Sequence, residues 1–330
     1  MSEFTNILSQ ISTTGLVDAS GQWYRCRHVG DNARHFFGRD WNGFPCLLIS
    51  SPDTASRSPI RLSVLDIRFS IPCHIVTDDG TEVLKTLTAI VCCSQDIELG
   101  LYFAHIAEVI VRIIGSNPCT DEIAEVVRRL IRLFESLSQP STRTVVGLFG
   151  ELYTIYVSRS PRKAVEAWRS STDERFDFSI DDARLEVKSA SDRVRAHSFS
   201  RDQCMPPAGT VAALISLFIE TSGGGLSLND LIQRIEVQLR DYPDLKLHEG
   251  IASTIGHSST MAFNIRFDEH LARSSIKVFD LGCIPAIRND LPSEISQVRF
   301  RSDLSYTPTA RIEALIERSP ILLELLPMNI

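Results

Sequence analysis

The sequence predicts a mixed α/β (α+β) protein with more than one domain, and three observations carry that prediction. Runs of β-branched and alternating residues dominate the first 95 positions, whereas helical-period segments fill Gly100 to Ser158. Beyond them, a hairpin pattern around Phe176 to Ser189 and the continuous apolar run Val211 to Ile219 indicate a mixed central sheet flanked by helices.

The elements follow in order. Phe44–Ser50, Pro59–Val76 and Val83–Cys93 read as strands, broken at Pro45, at Pro72 and by the turn Asp78-Asp79-Gly80, so residues 1–95 form a β-rich N-terminal domain. Gly100–Ile114 and Asp121–Leu137, the latter opened by the cap candidate Thr120, read as helices within 96–140 that bridge two domains. Ser141–Ser158 is a helix with Val145, Leu148, Phe149, Leu152 and Ile155 among the apolar residues spread over more than one side. Gly147, Gly150, Glu151 and Thr154 make a separate stripe, and glycines there predict close approach of another backbone, because glycine otherwise costs helix stability.

Ala164–Arg169 reads as a first strand, Phe176–Ile180 and Arg184–Ser189 as a hairpin, Phe199–Gln203 as the start of a short helix and Val211–Ile219 as a strand covered on both faces. Residues 141–225 are thus a core in the order helix, three strands, helix, strand. Residues 226–330 read as an α/β extension packing on it. That extension holds a helix at Leu228–Leu239 capped by Ser227, strands at Thr260–Phe267, Ile276–Cys283 and Ile295–Asp303, and a closing helix Ala310–Leu326 broken at Pro320.

Composition removes several function classes. A formal charge of −7 argues against a chain that coats nucleic acid along its whole surface, while leaving room for local basic patches. The eight cysteines form no C-x-x-C pair and sit largely in apolar segments, so they read as reduced core thiols. The histidines make no H-x-x-x-H pattern, which excludes the usual zinc sets. The longest apolar run is far shorter than the roughly eighteen residues a membrane span needs, and Met1-Ser2-Glu3-Phe4-Thr5 lacks the start of a secretory signal, so a cytoplasmic protein without membrane contact is expected. Gly223-Gly224-Gly225 is followed by no Gly-Lys-Ser/Thr, and Gly256-His257-Ser258-Ser259-Thr260 lacks the second glycine of a nucleophile elbow.

The hairpin carries the chemistry. Alternation sends Phe176, Phe178, Ile180, Leu185 and Val187 one way and Asp177, Glu186 and Lys188 the other. Two carboxylates and an ammonium then converge, which suits hard-oxygen binding of a small divalent cation and metal-assisted phosphodiester hydrolysis. The competing expectation is a charged hairpin face turned to water.

Asp177 followed by Glu186-Val187-Lys188 resembles the PD-(D/E)XK nuclease superfamily, with Phe176 in place of the name-giving proline. The longer order Gly147-x-x-Gly150-Glu151-Leu152, Trp168, Asp177-Phe178, Glu186-Val187-Lys188-Ser189, Arg195-x-His197 and Gln203 is similar to the prokaryotic "PD-(D/E)XK motif protein" family. The motifs cover about residues 141–220, and Cys204 stands where that pattern has leucine.

This resemblance implies a restriction-endonuclease-like core and a Mg2+-dependent DNA endonuclease, with Mn2+ able to substitute. It implies Asp177, Glu186, the Val187 carbonyl and Glu151 as metal ligands, and Asp177, Glu186, Lys188 and Glu151 as the catalytic set. Arg193, Arg195, His197, Arg201 and Gln203 are then candidates for DNA contact, with His197 and Gln203 in supporting positions. The implied partners are DNA and proteins of a restriction or anti-phage operon, possible homodimerisation being a further expectation; the N-terminal domain would contact DNA or a partner. Two alternatives stay open: a catalytically silent nuclease-fold subunit that binds DNA or proteins, and a hydrolase acting on RNA or a small phosphorylated compound.

Overall fold

The structure, a computed structural model, describes residues 2–11, 17–18, 21–52, 57–137, 144–169, 174–255 and 263–328. The chain divides into two compact units: residues 1–139 with 243–252, and residues 140–242 with 253–330. Ser141 to Arg143 of the expected third helix and Thr260 to Ala262 of an expected strand lie outside the described residues, as does the Gly256–Thr260 segment.

The first unit opens with helix α1 (Glu3–Gln10), capped by the Ser2 hydroxyl, within a stretch expected to hold strands and loops. Strands β1 (Val17–Asp18), β2 (Gly21–Val29), β3 (His35–Arg39), β4 (Pro45–Ile49), β5 (Ile60–Arg61), β6 (Leu65–Val76) and β7 (Glu82–Cys92) form one sheet in the order β1-β2-β3-β4-β7-β6-β5. An additional parallel pairing of β2 with β6, through Trp23–His74 to Arg25–Val76, closes the middle five strands into a ring. Its interior is filled by Tyr24, Cys26, Phe36, Cys46, Leu48, Cys73, Ile75, Leu87, Ala89 and Val91. The long hairpin β6–β7 turns at Thr77–Thr81, where Gly80 takes φ +80°, a backbone region that residues with a Cβ rarely enter. Helices α2 (Ile97–Ile114) and α3 (Thr120–Leu137) belong to the same unit.

The second unit holds helices α4 (Val145–Val157) and α5 (Pro161–Ala167), strands β8 (Phe178–Ile180), β9 (Ala183–Ala190), β10 (Ala196–Ser200), β11 (Val211–Phe218) and β12 (Thr221–Ser227), and helix α6 (Leu228–Gln238). Helix α7 (Lys246–Ile255) follows; its residues up to Ala252 cluster with the first unit, where Arg129 donates to Glu249 and Asp244. Strand β13 (Arg266–Phe267), helix α8 (Glu269–Ser274), strands β14 (Lys277–Asp280) and β15 (Arg299–Asp303) and helices α9 (Ile312–Arg318) and α10 (Leu322–Leu325) complete the chain.

A four-stranded mixed sheet runs in the order β14-β11-β9-β8. The β8–β9 hairpin pairs Phe178 with Leu185 around the Asp181-Asp182 turn, β9 and β11 are parallel, and β11 and β14 are antiparallel. Strand β11 is buried almost throughout, as its apolar sequence requires. Helix α4 lies against β9, and Gly150 makes that possible: a Cβ there would run into Ser189 Oγ.

Two parts of the expected core take other forms. Ala164–Arg169 is not a strand: Pro161 at the first helical position and the Ser160 cap start helix α5 instead, and only Trp168 and Arg169 extend, pairing with Phe178 and Asp177. Phe199–Gln203 is not a helix either. Phe199 and Ser200 end strand β10, which pairs with β15 in a separate two-stranded sheet, and a single 3-10 turn, Asp202–Cys204, follows. A strand and one turn therefore make the crossover between parallel β9 and β11.

Candidate active site

The site forms where α4, the Trp168–Arg169 extension, the entry to β8 and the first half of β9 meet. Asp177 precedes β8, and its Oδ2 accepts the backbone N–H of Val187 at 2.8 Å. That bond sets the aspartate against β9 at the residue between Glu186 and Lys188. On β9, Lys188 Nζ stands 2.7 Å from Glu186 Oε1, two residues apart on one face of the strand. Gln203, from the 3-10 turn, donates to the same Glu186 oxygen at 2.7 Å.

The site is buried. Glu151, Asp177 and Glu186 are each about 2% exposed, whereas the Lys188 side chain keeps 22% of its surface in solvent. A charged hairpin face turned to water does not have this profile. Burying ionised groups is costly unless they are paired, so a fold that encloses three carboxylates must supply cations and donors for them. Arg169 supplies much of this: its Nη1 binds Asp177 Oδ1 at 2.6 Å and its Nη2 lies 2.7 Å from both oxygens of Glu151. Trp168 Nε1 also donates to Glu151, at 2.9 Å. Arg169 and Trp168 were not among the expected site residues; Arg169 lies 8 residues from Asp177 and 18 from Glu151, so the sequence offered no local pattern linking them.

The donor chemistry of Asp177, Glu186, Glu151 and the Val187 carbonyl suits a hard divalent cation. Their arrangement is another matter: among the described residues no three acidic, histidine or cysteine side chains converge tightly enough to share an ion. The Arg169 guanidinium pairs with both Glu151 and Asp177.

The residues expected to contact DNA separate into two groups. Arg195 is 5% exposed, which corrects the expectation that it faces a polymer, and His197, expected in a supporting position, is 4% exposed. Arg195 donates to the Ser216 carbonyl and hydroxyl and to the Ser275 carbonyl, and His197 Nε2 lies 2.8 Å from Ser216 Oγ. Burial, helped by Lys188 and Arg195, lowers the His197 pKa to about 4, so the ring is neutral near pH 7. Arg193 is exposed and paired with Glu220, Arg201 is half-buried with a bond to the Asn289 carbonyl, and Gln203 reaches Glu186 rather than solvent. Phe199 lies under Lys188, its ring centre 5.4 Å from Nζ, and burial pushes the neighbouring Cys204 thiol up to about 11.

Comparison with protein families decides the classification. Residues 9–305 match the family described as "Putative PD-(D/E)XK family member (DUF4420)". The chain belongs to this PD-(D/E)XK family. The match spans most of the first unit as well as the core, well beyond the motif region at 141–220. No curated protein and no solved structure matches. Among the described residues, no helix is long and apolar enough to cross a membrane.

Proposed function

We propose that the protein is a metal-dependent DNA endonuclease, a subunit of a prokaryotic restriction or anti-phage system. The observation that carries this reading is the docking of the Asp177 carboxylate on the Val187 N–H, between buried Glu186 and partly exposed Lys188. Membership of a PD-(D/E)XK family supports it independently.

In this reading Asp177, Glu186 and the Val187 carbonyl would hold Mg2+, or Mn2+ in its place, and Glu151 contributes through the group it holds. A bound divalent ion would supply charge stabilisation at the phosphate and a more acidic water. Lys188, the accessible member, faces the incoming phosphodiester. As an ammonium it donates hydrogen bonds and accepts none, so it orients the attacking water and offsets charge growing on the phosphoryl oxygens. Its pairing with Glu186 and its seat over Phe199 fix the direction in which it points. Gln203 restrains the Glu186 carboxylate. Arg193 and Arg201 remain as candidate contacts to the polymer backbone.

One observation favours a second reading, a silent nuclease-fold subunit that binds DNA or proteins: Arg169 already neutralises the Glu151–Asp177 pair. Nicking of supercoiled plasmid by the purified chain in Mg2+ separates the two. The endonuclease reading expects nicking, and a loss of about a hundredfold or more in Lys188→Ala with unchanged circular dichroism. Intact plasmid with Mg2+ and with Mn2+, or full cleavage by Lys188→Ala, rejects it.

A further inference from the structure

We propose that Arg169 is a built-in cation that competes with a divalent ion for Asp177, an autoinhibitory latch that ion binding must open. The proposal rests on the reading of Asp177 and Glu186 as an ion site and assigns Glu151 a different part, that of holding the latch.

The geometry is asymmetric. Arg169 reaches Asp177 through Nη1 alone, at 2.6 Å, whereas Nη2 meets both Glu151 oxygens at 2.7 Å. Trp168 Nε1 also holds Glu151, donating to Oε2 at 2.9 Å. The Arg169 backbone is pinned as well, because its N–H donates to the Asp177 carbonyl at 2.9 Å and Trp168 bridges to Phe178. A rotation of the side chain can therefore give up Asp177 while Glu151 keeps the guanidinium.

Electrostatics makes the two cations alternatives. The Arg169 and Asp177 side chains are each 3% exposed, so water screens little of the repulsion between a guanidinium and a divalent ion on one carboxylate. The closed state also explains why the acidic residues do not converge on a common point. Among these described side chains, Glu151, Asp177 and Arg169 sum to one negative charge and Glu186 with Lys188 to none, so Arg169 offsets one of the two charges it touches. Once released from Asp177, the guanidinium has two donors suited to a phosphate oxygen pair, which links opening of the latch to arrival of a phosphodiester.

The test is Mn2+ binding by the full-length chain, read from the electron paramagnetic resonance signal of free Mn2+, for the native protein, Arg169→Gln and Asp177→Asn. The latch predicts about tenfold tighter binding in Arg169→Gln than in the native chain, and loss of binding in Asp177→Asn. Equal or weaker binding in Arg169→Gln makes Arg169 a brace that organises the site and overturns the latch, while the ion-site reading survives through the native protein. No binding in either protein removes both. Should Arg169→Gln fail to fold, side-chain NMR of 15N-arginine-labelled native protein during a Mg2+ titration gives the answer. A buried, slowly exchanging guanidinium that becomes mobile supports the latch, and one that stays rigid at saturating Mg2+ overturns it.

Discussion

At the scale of single residues, the polar groups around β9 divide into a site and its support. Asp177, Glu186 and Lys188 make the proposed site; Ser216, the β11 register partner of Lys188, hydrogen-bonds both Arg195 and His197. Arg195 donates to Ser216 Oγ, which leaves the hydroxyl proton to point at His197 Nε2, an arrangement suited to the neutral ring. A histidine whose pKa falls from 6.5 to about 4 on folding stabilises the fold fully above pH 6.5. As pH falls from 6.5 toward 4 the unfolded chain takes up a proton that the folded chain refuses, so stability drops by roughly 3 kcal/mol across that window. Denaturant midpoints measured from pH 7.5 down to pH 4.5 should show this fall, reduced in His197→Asn. An identical fall in the variant would assign the pH dependence to other groups. The pairing of Glu186 with Lys188 was legible in the sequence because the β period of two places them on one face of β9, whereas Asp177 precedes β8 and reaches β9 through the Val187 N–H. Burial of His197 and Arg195 was not: on sequence they sit in a basic stretch, and only the pairing of β10 with β15 turns them inward.

At the scale of elements, α4 and β9 approach closely, and its two glycines have opposite roles. Gly150 faces Ser189 Oγ and Ile219 Cδ1, and a side chain there must displace them. Among the described residues, Gly147 meets only the Thr144 hydroxyl, at 3.4 Å. Gly150→Val should therefore cost about 1–3 kcal/mol through overpacking, whereas Gly147→Ala should add about 0.5–1 kcal/mol by removing the conformational cost of glycine. Urea melts of the two variants check the pair; stabilisation by Gly150→Val would contradict the packing of α4 on β9. The glycine stripe was readable as close approach, but not which glycine makes it, since that depends on the facing strand. Ala164–Arg169 misled for a related reason. A short apolar run fits strand or helix equally, and the start signal Ser160-Pro161 decided the matter locally. The sequence pattern between β9 and β11 predicts a helical crossover, whereas pairing with β15, about a hundred residues further along the chain, draws Ala196–Ser200 into a strand.

At the scale of the whole molecule, the β-rich start and the mixed sheet were visible as patterns, whereas the two helices expected to bridge domains group with the first unit. The closure of β2 on β6 and the assignment of residues 243–252 to the first unit were not, because both depend on contacts distant in sequence. A chain with net charge −7 has no general attraction for nucleic acid, so the proposed chemistry rests on the local cluster at β9. The direct measurement of that claim is the anomalous signal from a crystal of the full chain grown or soaked with Mn2+. The account predicts one strong peak about 2.1–2.3 Å from carboxylate oxygens of both Asp177 and Glu186, with the Arg169 guanidinium moved off Asp177. No peak at saturating Mn2+, with Arg169 still bridging Asp177 and Glu151, would contradict it.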